Sequence, residues 1–134
     1  DYIFANLYEK ARVRHDTAMM RYISKKYLSY MTRVIEHFEV LSMKFLGYEL
    51  KQILLLHANT LNADYLDQLI QIFRVRNYVF ISLDEALNDP AYLLEDAVSS
   101  KGLSWIHRWM LAKNLPLDPE PDTPDEILQL NKSY

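Results

Sequence analysis

Gln52-Ile53-Leu54-Leu55-Leu56-His57 is a short, unbroken apolar run closed by a histidine. A run of that length without polar alternation predicts a strand buried on both faces, ending at His57. After a polar break at Asn59 and Asn62, apolar residues return at helical spacing as Tyr65, Leu66, Leu69, Ile70 and Phe73, and Asn77 closes that helix. Tyr78-Val79-Phe80-Ile81 is rich in β-formers and predicts a second strand. Strand, crossover helix and strand make a βαβ unit with two adjacent parallel strands, so the expected fold class is α/β. Two parallel strands alone make a poor sheet, and parallel sheets are normally covered on both faces. The remaining strands are therefore expected before Asp1, and the chain is read as a piece of a larger domain.

Working outward, the upstream segment is one long amphipathic helix. Met19, Ile23, Tyr27, Tyr30, Val34, Phe38, Leu41 and Phe45 follow one another at steps of three or four. Asp16 or Thr17 is its expected N-cap, and Gly47 lies near its end. Its opposite face carries Arg21, Lys25, Lys26, Arg33, Glu36 and Lys44. Tyr2 to Arg14 also reads as helical. Downstream, Ser82-Leu83-Asp84-Glu85 has the spacing of a capping box and starts a short helix over Asp84–Asn88. Beyond Pro90 the chain turns irregular until Gly102, after which Leu103–Ala112 predicts one more apolar helix. Pro116 to Pro124 is rich in proline and acid and predicts an extended lash over the surface. The expected organisation is a domain over 1–113 and a tail over 114–134.

Composition narrows the function classes. The 134 residues are 50% hydrophobic and 25% charged, which places the chain with globular proteins. A net charge of -3 with scattered basic residues argues against nucleic acid as a partner. Ten tyrosines predict many half-buried amphipathic positions. The absence of cysteine excludes disulfides, thiol nucleophiles and cysteine-ligated zinc. No apolar run reaches the roughly 20 residues a membrane helix needs. The opening Asp1-Tyr2-Ile3-Phe4 has neither the n-region nor the h-region of a signal peptide.

Few residues are arranged for chemistry. His15, His37, His57 and His107 form no His-x-x-x-His or His-Glu-x-x-His pair, and two glycines cannot build a phosphate loop. A Gly-x-Ser-x-Gly elbow is absent too. His57 stands at a predicted strand end, where α/β folds place their ligands, and imidazole titrates near neutral pH. It reads either as a general acid or base or as a histidine that only bonds a loop carbonyl. His37 sits beside the core stripe of the long helix, and His15 lies at a break between helices. In Ser104-Trp105-Ile106-His107-Arg108-Trp109 the plain reading packs Ile106, Trp109 and Met110 inward. The sharper reading makes a tryptophan stack on a sugar.

Ile53-Leu54-Leu55-Leu56-His57 followed by Ala58-Asn59 resembles the last signature of the polysaccharide deacetylase (NodB-homology) family. Asn62-Ala63-Asp64-Tyr65-Leu66, then Tyr78 through Leu87, then Asp89-Pro90-Ala91-Tyr92 continue the likeness in order. Gly102-Leu103-Ser104-Trp105-Ile106-His107-Arg108-Trp109 looks like the C-terminal end of a bacterial subgroup, and the resemblance runs to about Lys113. It implies the closing part of a distorted (β/α) barrel. It also implies removal of acetyl groups from a polysaccharide with a divalent metal, usually zinc. One aspartate and two histidines hold that metal in the family, with a second aspartate as general base. All four belong to earlier motifs without counterpart here, so this chain supplies no metal ligand of its own.

Residue by residue, the resemblance makes His57 the general acid that protonates the leaving amine. Leu55 would line the pocket for the acetyl methyl. Asp1-Tyr2 looks like the end of an Asp-x-x-Asp-Trp signature, in which the final aspartate positions an arginine that tunes the base. Tyr2 stands where that family has a tryptophan wall, and Ala58 where an aspartate often follows the histidine. The expected partners are an acetylated polysaccharide and the N-terminal half of the same domain, with a periplasmic or secreted location favoured. The alternatives are a non-catalytic α/β interaction module and a glycan-binding module without metal.

Overall fold

The structure is a computed structural model that describes residues 2–134. Six α-helices form in chain order: α1 over Tyr2–Val13, α2 over Thr17–Leu46, α3 over Thr60–Val75, α4 over Leu83–Leu87, α5 over Trp105–Ala112 and α6 over Asp125–Ser133. A 3-10 turn over Pro90–Leu93 lies between α4 and α5. The chain divides into two compact units. Among the described residues the first comprises 2–34, 54–79 and 121–134, and the second 35–53 and 80–120.

Helix ends follow local chemistry. Asp16 accepts from the Met19 amide at 2.9 Å and opens α2, which runs for 30 residues, about 45 Å at 1.5 Å per residue. Gly47, at φ +79°, ends it in the left-handed region that a side chain disfavours. Asn59 caps α3 by accepting from the Asn62 amide, and Asn77 closes it at φ 63°. Ser82 and Ser104 cap α4 and α5 in the same way.

In the first unit α1 packs against α3 and α6. Phe4, Leu7, Tyr8 and Ala11 from α1, Ile23 and Tyr27 from α2, Leu61, Leu69 and Phe73 from α3 and Ile127 from α6 are all buried. Phe4 lies against the rings of Tyr27 and Tyr30, and Tyr8 meets Tyr65 edge-on. Helix α6 is fastened by polar bonds as well. Glu126 takes the Tyr22 hydroxyl and the Lys26 ammonium, and Tyr134 donates to Asp16. The proline-rich stretch ahead of α6 has no regular structure, and the helix itself is not expected from the sequence.

The second unit is built on Leu41, Leu50, Ala91, Ile106, Trp109 and Met110, with Phe38, Phe45, Leu46, Tyr92 and Leu94 packed around them. Ser42 Oγ accepts the Leu50 amide at 2.7 Å and donates to the Tyr48 carbonyl at 2.9 Å, which folds the turn after α2. Asp89 is buried and accepts from the Tyr48 hydroxyl and from the Ala91 and Lys51 amides.

The expected α/β class and the (β/α) barrel portion are not what forms. The described residues are 63% helical and contain no strand, sheet or barrel. The long amphipathic helix is present, but both segments read as strands are irregular. They are also open to solvent, with Leu55 80% exposed and Val79 80% exposed. The physical reason is that a strand exists only through its neighbour. An apolar run states that a segment needs cover, yet ladder hydrogen bonds require a second extended chain in register.

Candidate functional site

His57 lies on the extended stretch that leads into α3, with its side chain exposed. Its peptide carbonyl is the fixed point. Asn62 Nδ2 donates to it at 2.8 Å and Asn59 Nδ2 at 3.2 Å. Asn59 also caps α3, its side-chain oxygen accepting the Asn62 amide at 2.8 Å. Asn62 is itself buried, and its side-chain oxygen accepts the Tyr27 hydroxyl at 2.5 Å. Burial, with a smaller contribution from Tyr30, pushes the Tyr27 phenol up to about 12. It therefore keeps its proton and remains a donor at neutral pH.

The other expected site residues are placed as follows. Leu55 is two residues before His57 on the same stretch and stands out into solvent. Tyr2 is 75% exposed in the first turn of α1. Asp1 lies outside the described residues, so its expected role falls there too.

The side chains fixed at His57 do not suit a metal of the expected kind. Its carbonyl is held by carboxamides, and a carboxamide nitrogen is a donor with no lone pair to offer a cation. The carboxylates of Asp64 and Glu9 have other duties. Asp64 receives the Tyr8 hydroxyl at 2.8 Å, and Glu9 pairs with Arg12 and Thr60. Among the described residues no group of three or more His, Cys, Asp or Glu side chains could hold a metal ion.

The remaining histidines are structural in their contacts. His15, at φ 57°, turns the chain between α1 and α2. His107 is buried in α5, with Nε2 2.6 Å from the Asp118 carbonyl and Nδ1 2.9 Å from Ser104 Oγ. A carbonyl only accepts, so Nε2 carries the proton, and in the neutral ring Nδ1 accepts from the serine. His37 lies edge-on to Phe38 and beside His107. Ile106, Trp109 and Met110 point into the core, in keeping with the plain reading of their motif. Trp105 is partly exposed, with the edge of Tyr92 on it and the Arg108 guanidinium 5.3 Å from its ring centre.

Sequence reasoning missed Asn62 and Tyr27. Asn62 reads as part of a polar break, and Tyr27 as one more member of the core stripe of α2. The available signal was the Asn59–Asn62 spacing, which is that of an N-cap and its third helical residue.

Compared with family models, curated proteins and solved structures, the chain matches none. No helix among the described residues is long and apolar enough to cross a membrane.

Proposed function

We propose that the chain serves in a metal-dependent polysaccharide deacetylase, to which it contributes the general acid His57. The divalent metal, its ligands and the base would come from residues outside this chain. The reaction class rests on the resemblance around Ile53–His57 and its ordered continuation to Trp109. The observation that carries the reading is the combination found at His57, where an exposed imidazole stands on a main chain held by two carboxamide donors. A general acid needs both properties, since it must reach the substrate and must stand in a fixed place. The imidazolium proton passes to the leaving nitrogen as the C–N bond breaks, so the sugar amine departs neutral. Exposed Leu55 supplies an apolar surface on the same stretch for the acetyl methyl. His57→Ala in the intact parent should lower acetate release while leaving its zinc content unchanged. Unchanged acetate release removes the general-acid assignment.

A second reading is a non-catalytic interaction module. The exposed apolar residues Ile53, Leu54 and Leu55, and Val79, Phe80 and Ile81, favour it. Zinc titration of the intact parent separates the two. A deacetylase takes up the metal and a module of this kind does not.

A further inference from the structure

Two side chains, Asn62 and Asn59, meet on one peptide oxygen, a third, Tyr27, backs Asn62, and the hydrogen bonds run in one direction only. The His57 carbonyl accepts and cannot donate, so the Asn62 atom 2.8 Å from it is the amide nitrogen. That choice turns the Asn62 oxygen toward Tyr27, whose hydroxyl must then donate across 2.5 Å. Asn59 adds a second amide to the same carbonyl at 3.2 Å. A peptide oxygen has two lone pairs, and both are now engaged. The plane of the peptide that follows His57 is thereby set. Two side chains of the relay are out of water, Tyr27 fully and Asn62 at 7% exposure, whereas the imidazole is not. The arrangement grips the backbone and leaves the ring at the surface.

The residue types fit this task narrowly. A carboxamide can accept from a phenol at one end and donate to a carbonyl at the other. Aspartate would keep the phenol bond but lose the donor, and leucine would lose both. A capping role for Asn59 accounts for one bond to the Asn62 amide. It does not account for the Tyr27–Asn62–His57 series, which bridges α2 to the start of α3.

We propose that Tyr27 and Asn62 are positioning residues for His57, with the Tyr27 hydroxyl orienting the Asn62 carboxamide that, together with Asn59, fixes the His57 peptide. This rests on His57 acting as general acid. Neither residue touches the substrate. A displaced acid is costly mainly where the leaving group is poor, because a good leaving group departs without the proton. The diagnostic quantity is therefore the ratio of turnover on an N-acetylglucosamine oligomer to turnover on an aryl acetate.

The test uses the intact, zinc-loaded parent carrying His57→Ala, Tyr27→Phe or Asn62→Asp. Each substitution should lower that ratio, by about tenfold for Tyr27→Phe and Asn62→Asp, with KM for the oligomer within about twofold. Loss of folded enzyme lowers both rates alike and leaves the ratio unchanged. A lowered ratio in His57→Ala, with wild-type ratios in the other two, overturns the positioning role and keeps the general acid. A wild-type ratio in His57→Ala overturns the general acid and this inference with it. The 134-residue chain offers a second measurement through the 13C resonance of the His57 carbonyl. It should move in Tyr27→Phe, and an unmoved resonance overturns the relay whatever the kinetics.

Discussion

The Tyr8 hydroxyl donates to Asp64 Oδ2 at 2.8 Å, joining α1 to α3 across 56 residues of sequence. Tyr8 is buried, and its ring meets Tyr65 edge-on with 6.0 Å between centres. The pair marks where the first unit is closed by a polar bond as well as by apolar contact. Tyr8→Phe keeps the ring and removes the donor. It should cost about 1–2 kcal/mol, measured as a lower urea midpoint with an unchanged slope. An unchanged midpoint would mean that water replaces the hydroxyl at no cost.

Alkaline sensitivity follows from the same chemistry. Burial, helped by Asp64, pushes the Tyr8 phenol well above its ordinary range, and burial pushes Tyr27 and Tyr92 up to about 12. These groups bind their protons more tightly in the folded chain than in the unfolded one. Their contribution is full below pH 10, the ordinary phenol value, and is lost as pH rises from there toward 12. Phenolate absorbance and helical circular dichroism should therefore change together above pH 10. Phenolate appearing at these three positions well before helix is lost would contradict that coupling.

Asp89 contributes to the acid sensitivity of the second unit. Burial alone would raise its carboxyl. The Tyr48 hydroxyl, the Ala91 and Lys51 amides and the Lys51 charge outweigh burial and hold it below the ordinary range. Its contribution is present above the unfolded value of 3.8 and fades as pH falls through the lower folded value. Asp89→Asn should lower stability at pH 7 and flatten its decline toward pH 2. A steep acid decline surviving in Asp89→Asn would assign that decline to other carboxylates.

The exposed apolar stretches give a direct check on the absence of a sheet. Leu55→Ser and Val79→Ser should each change the stability of the chain by no more than about 0.5 kcal/mol, as surface substitutions do. A loss above about 2 kcal/mol in denaturant unfolding would place those side chains in a core.

His107 anchors the irregular stretch after α5 through the Asp118 carbonyl. His107→Ala should quicken proteolytic cleavage around Leu115–Glu120, while cleavage in the first unit keeps its rate. Equal cleavage of variant and parent would show that Lys44, which also binds Asp118, is sufficient.

The helices were legible because their signals are local. The stripe from Met19 to Phe45 repeats at helical spacing, and Asp16, Asn77 and the capping box at Ser82 mark ends within a few residues. That the two expected strands do not form was not legible, because a run such as Ile53–Leu56 reports a demand for cover and says nothing of what meets it. Helix α6 carried a weak signal, with Asp125 and Glu126 in a first turn after Pro124 and Ile127 as its only buried residue. At the candidate site the sequence pointed to His57. Its support by Asn62 and Tyr27 stayed hidden, because the bond between them spans 35 residues and no short pattern encodes it.

The tyrosines described above act as fasteners between distant parts of the chain. At least six of the ten donate a side-chain bond across long sequence separations, namely Tyr8, Tyr22, Tyr27, Tyr48, Tyr92 and Tyr134. With no cysteine present, such phenols occupy the place that cross-links take in many small domains. Reducing agents therefore have nothing to release in this fold. Nitrating agents do, because an ortho nitro group acidifies the phenol and, at Tyr8, Tyr22, Tyr48 and Tyr134, sets its charge against the carboxylate it now binds.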